Sequence, residues 1–390
     1  MTFELSREHE EFRRSVREFA EAEIAPYAAQ WDREHHFPVD VVQQMGKLGL
    51  FGLTAPEEYG GAGDEGDFTS LCVAIEELGR VDQSMGITLQ AGVGLGINPL
   101  VNFGTKEQQE TWLPALVSGE KLAGFGLTEP GAGSDAGATR TKAELVGDEW
   151  VVNGSKQFIT NSGSDITSLV TVTARTGTRE DGRPEISAIM LPSGTPGFVA
   201  EKAYDKLGWH ASDTHPLSFT DVHVPADHLL GERGRGYAQF LATLDDGRVA
   251  ISALSVGCIQ ACLDMSVAYA GERQTFGGPI GRKQGVAFQI ADLQVMLEAS
   301  RMLTYKAAAL KDAGAPYQDF KQAASIAKVY STESAVTATR IATQVFGGYG
   351  FMEEYPVARF YRDAKVLEVG EGTSEVQRML IARGLGLPVE

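Results

Sequence analysis

Residues 368–378 read EVGEGTSEVQR, and in this stretch Glu371 stands alone between Gly370 and Gly372. A carboxylate with bare neighbours leaves room for another molecule or another stretch of backbone to come close. Behind it, Ser374-Glu375-Val376-Gln377 has the pattern of a capping box, with Ser374 as N-cap and Gln377 at N3. The stretch therefore predicts a turn that runs straight into a helix. Taken alone, such a glutamate reads as a surface carboxylate favoured by the helix dipole.

Four other stretches hold residues suited to a ligand. LTEPGAGSDAG, 127–137, has backbone N–H groups at Gly131-Ala132-Gly133 that can turn toward an acceptor. Its glycine spacing is not a dinucleotide fingerprint, and composition alone favours a plain loop leading into a strand. KQFITNSG, 156–163, reads as a strand end with a turn. ERQTFGGPIGRKQ, 272–284, sets Arg273, Arg282 and Lys283 in a glycine-rich connector that suits a pyrophosphate or, equally, a solvated basic loop. QVFGGYG, 344–350, ends a helix on two glycines, one more than a C-cap needs. There is no GxSxG, HExxH or P-loop, and the seven histidines form no helical pair, so metal and triad chemistry have no foothold.

Three zones must position these stretches. Residues 1–120 predict helices: Phe12, Val16, Phe19 and Ile24 recur at helical spacing after a candidate N-cap at Ser6. Residues 121–232 are rich in Gly, Thr, Ser and β-branched residues, with hairpin chemistry at Gly147-Asp148, and predict a small antiparallel β domain. Residues 233–390 predict a helix bundle, with faces through Leu293, Met296, Ser300, Leu303, Ala307 and Leu310, and through Ala323, Ala327, Tyr330 and Ser334. The fold class is α+β, mostly α.

Composition narrows the function. A formal charge of −18 argues against a nucleic-acid or anionic-membrane partner. Cys72, Cys258 and Cys262 suit core packing rather than disulfides or zinc. No signal peptide or stretch apolar enough to span a bilayer stands out, which places the chain in the cytoplasm.

The ordered set TKEQQETWLPALVSGE, LTEPGAGSD, FITN, LDDGR, ERQTFG, QVFGGYG, YRDAK and EGTSEVQR resembles the acyl-CoA dehydrogenases over essentially the whole chain, closest to the short-chain and branched-chain members. The resemblance implies non-covalent FAD, an acyl-CoA substrate and α,β-dehydrogenation to a trans-2-enoyl-CoA. It further implies an electron-transferring flavoprotein as acceptor and a homotetramer built as a dimer of dimers.

By the same resemblance, Glu371 is the base that takes the α-proton. The other base position seen in the family falls at Gly247, which has no side chain. Phe125, Leu127, Thr128, Gly133 and Ser134, with Phe158, Ile159 and Thr160, would hold the flavin-ring side of FAD. Arg273, Phe276 and Gln284, with Gln344, Val345, Gly347 and Gly348, would hold its adenosine and pyrophosphate end, bound to a neighbouring subunit. Thr373 and Glu375 close over the cofactor. Ser134, Asp245, Arg248 and Gly372 would contact substrate, with Arg248 the cationic contact.

The reaction class sets a requirement on the base. A thioester α-proton is a weak acid, and a free glutamate titrates near about 4.3, so water must be expelled to raise its pKa. The following helix N-terminus pulls the other way, and desolvation is expected to win once substrate binds. Two residues depart from the family pattern. Gly370 stands where most relatives carry tyrosine, which implies a wider acyl pocket. Phe158 stands where several have tryptophan. An oxidase of the same fold, a nucleic-acid-binding relative and a non-catalytic acyl-CoA binder are the rival readings.

Overall fold

The computed structural model describes residues 5–389. Seven helices come first: α1 (Arg7–Phe19), α2 (Ala28–Glu34), α3 (Val39–Lys47), α4 (Phe68–Val81), α5 (Gln83–Gln90), α6 (Asn98–Phe103) and α7 (Lys106–Val117). Eight strands follow: β1 (Leu122–Gly126), β2 (Lys142–Val146), β3 (Glu149–Thr160), β4 (Thr167–Thr178), β5 (Pro184–Pro192), β6 (Phe198–Ala200), β7 (Thr214–Pro225) and β8 (Leu229–Leu230). Then come α8 (Gly236–Glu272), the short hairpin β9 (Gln274–Thr275) and β10 (Gly278–Pro279), α9 (Gln284–Asp312), α10 (Tyr317–Phe346), α11 (Pro356–Ala364) and α12 (Ser374–Gly384).

The chain is thus helical, then β, then helical, as its composition predicts. Ser6 caps α1 by accepting from the His9 N–H, as expected. The β2–β3 hairpin turns at Gly147, at φ 61°, and buries Trp150. The sheet runs β6-β7-β3-β2-β4-β5-β8 and is mostly antiparallel, but β4 pairs in parallel with β1 and, through Lys142 and Arg175, with β2. The β1–β4 pairing carries the chain from the first helices into the sheet and sets the LTEPGAGSD loop at the end of β1.

Three sequence expectations are corrected. On α10, Ala327 and Ser334 of the expected face are buried, but Tyr330 is 38% exposed and Lys328 beside Ala327 is fully buried, so the inward face takes in Lys328 and Ser331 in place of Tyr330. On α9, Leu293, Ser300 and Ala307 are buried as expected, but Leu297, Thr304, Tyr305 and Ala308 are buried too, while Met296, Leu303 and Leu310 lie at the margin of the core. One stretch is apolar enough to cross a bilayer after all. Within the 37-residue α8 an 18-residue window has mean hydropathy 1.5, and 83% of that window is buried inside the protein. A helix apolar all round is the mark of the centre of a bundle, and α8 packs against α4, α9 and α10.

The α4–α8 crossing is tight. A Cβ on Gly257 of α8 would overlap the Glu76 carbonyl oxygen and stand 2.8 Å from the Arg80 nitrogen. Beside it, the buried Glu76 is neutralised by Arg301 at 2.7 Å and bonded by Tyr305 at 2.6 Å, and Glu77 by Arg17. This crossing orients α4, and through Asp82, which caps α5 by accepting from the Met85 N–H, it orients α5. Gly257→Val is expected to lower unfolding stability by about 3 kcal/mol, because backbone rather than a side chain must give way. Urea denaturation of the two proteins measures it.

Candidate active site

Glu371 lies in the turn before α12, with φ 55°, and Gly372 follows at φ 89°. A non-glycine residue in this region is strained, and such strain persists only where surrounding contacts over-determine it. Three contacts do so. Gln377 Nε2 donates to the Glu371 carbonyl at 3.2 Å and to the Gly372 carbonyl at 2.9 Å. Lys328 Nζ, from α10, donates to the same Gly372 carbonyl at 2.9 Å. The expected capping box is corrected here: Thr373, not Ser374, is the N-cap, accepting from the Val376 N–H, and Ser374 opens the helix. Gln377 turns back to the strained turn instead of closing a box, because two buried carbonyls there need donors.

The Glu371 carboxylate points inward. Its residue is half-buried overall, but Oε2 is fully withdrawn from water and has no hydrogen-bond partner. Oε1 accepts from Gln90 Nε2 of α5 at 3.3 Å. Gly247 of α8 lies against the carboxylate: a Cβ there would stand 2.5 Å from Oε2. The side chains at 247 and 371 therefore compete for one space, and a glycine at 247 is what admits Glu371. Burial pushes the Glu371 carboxyl up to about 7, against the downward pull of Arg248, the Gln90 hydrogen bond and Lys328. Desolvation by the protein's own side chains outweighs these three.

Asp245 and Arg248 lie one helical turn apart on α8, both buried, and form an ion pair; the Tyr317 hydroxyl donates to Asp245. Arg248 is 5% exposed and pairs with Asp245 through one guanidinium nitrogen, its Nε has no partner, and its charge lies close enough to Glu371 to favour the ionised carboxylate. Lys328 is pulled down to about 8 by the same burial. Gln90 and Lys328 escaped the sequence reading. Gln90 sits in an apolar helix with no motif around it. A lysine within a helical face normally marks solvent.

A second group gathers at the end of β1. Phe125 stacks on Phe240 of α8 with centroids 3.8 Å apart. The Thr128 carbonyl accepts from the Gln157 N–H at 2.9 Å, joining the LTEPGAGSD loop to β3. Within that loop Gly133 and Ser134 are exposed, and a Cβ on Gly133 would touch nothing within 4 Å. Phe158, at φ 62°, is 60% exposed, while Ile159 is buried and Thr160 half-buried. Ile159 can therefore offer a ligand only its backbone. Asn161 Nδ2 donates to the Thr88 carbonyl at 3.2 Å, two residues before Gln90, so this group and the Glu371 turn share α5.

Glu129 and Lys156 pin this group, and neither was singled out in the sequence. Lys156 Nζ, fully buried, meets Glu129 Oε1 at 2.7 Å and also donates to the Leu127 carbonyl and the Thr139 and Thr173 hydroxyls. Glu129 accepts in addition from Thr139 Oγ1 and from the Arg140 and Thr141 N–H groups. Burial draws Lys156 down to about 8, while Lys156 and the donors hold Glu129 down to about 2. Both stay charged at neutral pH, and Glu129, reached from four sides, is the better stabilised partner.

A third group lines a cavity of about 520 Å³ bounded by Tyr269, Arg273, Thr275, Val345, Gly347, Gly348 and Tyr349, among others. The Arg273 guanidinium lies 5.5 Å from the Tyr349 ring centroid. Gly347 ends α10 at φ 60°, and a Cβ on Gly348 would meet nothing, so both backbones are open to a ligand. A cation, an aromatic wall and bare backbone fit a nucleotide pyrophosphate. Gln284, Gln344 and Phe276 are exposed and lie outside this lining; Phe276 is 93% exposed at the hairpin tip. Thr373 serves as the helix cap, and Glu375 is exposed in the first turn of α12.

Three adjoining family profiles match the chain. Acyl-CoA dehydrogenase, N-terminal domain, matches 6–120; the middle domain matches 124–222; the C-terminal domain matches 234–386. The chain belongs to the acyl-CoA dehydrogenase family. It is an oxidoreductase of a flavoprotein family in fatty acid metabolism. A probable acyl-CoA dehydrogenase of Bacillus subtilis is 48% identical over 99% of this chain and 100% of its own length. Butyryl-CoA dehydrogenase from Megasphaera elsdenii superposes with TM-score 0.95 at 41% identity, covering 99% and 100% of the two chains. A chain from a structure of the electron transferring flavoprotein of Acidaminococcus fermentans superposes with TM-score 0.94 at 40% identity, covering 99% of each.

Two stability measurements probe this site. Lys156→Met is expected to cost about 3–5 kcal/mol, since it strands a buried carboxylate; chemical denaturation reads the loss. Glu371 has its folded pKa above the unfolded value of 4.5. Between about pH 4.5 and 7 the unfolded chain ionises there and the folded chain does not, so this residue lowers stability as pH rises through that window, by about 3 kcal/mol at most. Below it the cost vanishes; above it the cost is constant. Glu371→Gln should therefore be the more stable protein at pH 7.5, with its advantage shrinking toward pH 4.5.

Proposed function

We propose that this family member is an FAD-dependent enzyme that takes an α-proton and a β-hydride from a short or branched acyl-CoA, yielding the trans-2-enoyl-CoA, with Glu371 as the base. The observation that carries it is a buried carboxylate, poised near neutrality, with one oxygen free of partners. A base with a pKa near the working pH is both ionised and strong enough to accept a proton in the transition state. FAD, when bound, supplies the hydride acceptor. The loop bearing Gly133 and Ser134, with Phe158 and the backbone of Ile159 and Thr160, would hold its ring side. Arg273 and the Gly347–Gly348 backbone would hold a pyrophosphate. Arg248, Lys328 and Gln90 fix the electrostatics and aim of the base.

Electrons would pass to an electron-transferring flavoprotein, a partner supported by the likeness to the Acidaminococcus chain. A homotetramer is supported by apolar side chains on the surface of the single chain. Phe288, Val295 and Met302 stand seven residues apart along α9 and are 63%, 65% and 53% exposed, and Phe351 is 87% exposed. A stripe of this kind marks an interface. The domain limits belonging to this reading are 1–120, 121–232 and 233–390.

Gly370 supports a roomy acyl pocket. A Cβ there would meet only the Val366 carbonyl oxygen, at 3.5 Å, so a side chain could start from this position without a clash and its absence leaves room beside Glu371. Anaerobic flavin bleaching by a panel of straight, branched and cyclic acyl-CoAs tests the whole reading. The expected result is reduction by several, with bulkier groups at least matching butyryl-CoA in kcat/KM, and loss of roughly 10³-fold or more in Glu371→Gln. Retained proton abstraction in that variant, or strong preference for butyryl-CoA over every bulkier thioester, sinks the corresponding part. Peroxide release under air would favour the oxidase instead.

A further inference from the structure

Gln90 is fully buried at the end of α5, where the helix passes into the wider π-turn Ala91–Ile97. Its Nε2 bonds Glu371 Oε1 at 3.3 Å, and its own Oε1 has no partner. A buried acceptor left unpaired is destabilising, by an amount that an apolar side chain of the same size would avoid. Packing therefore gives no reason for an amide here. Gly94, one turn on, lies beside the amide: a Cβ there would touch only Gln90 Nε2, at 3.4 Å.

The two Glu371 oxygens differ as a result. Oε1 is held; Oε2 is buried and unpartnered, in the space that a side chain at Gly247 would take. We infer that Gln90 is a positioning residue that fixes Glu371 through Oε1 and so selects Oε2 as the oxygen that takes the substrate proton. The inference rests on the reading of Glu371 as base. In the step it concerns, the α-carbon–hydrogen bond breaks and an Oε2–H bond forms. The electron pair stays on the α-carbon, conjugated with the thioester carbonyl.

The groups facing the carboxylate are Arg248, with its partner Asp245, from α8, Lys328 from α10, and the neutral Gln90 from α5. Arg248, Lys328 and Gln90 all favour the ionised base. Replacing Gln90 with an apolar residue removes one of these and leaves the cations in place, so the base becomes harder to ionise. Because the base must be ionised to act, the rising limb of kcat/KM against pH must move upward.

The test compares holoenzymes of wild type, Gln90→Leu and Gln90→Met. One readout is the pH profile of flavin reduction by saturated acyl-CoAs. The other is exchange of α-protons into deuterated water for a 3-thia-acyl-CoA, whose sulfur replaces the β-carbon so that no hydride can leave. The expected result is a limb moved up by about one pH unit in both readouts, hence roughly tenfold slower proton transfer below it, with KM little changed and flavin content retained. Variants that fold and bind flavin but keep the wild-type limb overturn the inference. Failure of wild type to be reduced by any acyl-CoA overturns the proposed function instead.

Discussion

Withdrawing one carboxylate from water is the constraint around which this protein is arranged. Solvation favours the charged form of a glutamate by a wide margin, so a buried one either finds partners or becomes easier to protonate. Glu371 is kept between these outcomes. Arg248 and Lys328 stand near it without closing an ion pair, since Arg248 pairs with Asp245 and Lys328 donates to a backbone carbonyl. A direct salt bridge would have made the carboxylate a weak base; no cation at all would have left it protonated.

That balance needs several elements at fixed distances. The turn carrying Glu371 comes from the C-terminal bundle, Gln90 from the first helical zone, and the room for the carboxylate from a glycine on α8. The tight α4–α8 crossing and the α8–α10 packing hold these in register. The sheet joins the same assembly through Asn161 and Thr88. Its Glu129–Lys156 pair anchors a loop whose own structure is one Glu129–Ala132 bridge and a single short turn at Ala136–Ala138.

Much of this was legible in the chain itself. The alternation of helical and strand-like composition predicted the three zones, because period and β-branching are local properties. The bare glutamate before a helix start was visible for the same reason. What local reading misjudged were residues whose surroundings come from far away in sequence. Lys328 was passed over, because a lysine on a helix ordinarily faces solvent, yet it is buried with its partner on another element. Thr373 rather than Ser374 caps α12, since Gln377 is drawn to the strained turn and cannot complete a box.

The sequence by itself determined the family, the order of the zones and the identity of the candidate base, because ordered motifs and periodicity are written along the chain. Only the tertiary structure decided how that base is tuned. Gln90 and Glu371 are 281 residues apart, and their contact depends on three helices meeting. Desolvation and the field of nearby charges belong to the folded arrangement and to no residue alone. The glycine at 247 takes its meaning the same way: in the sequence it is an absent side chain, and in the fold it is the space that Glu371 fills.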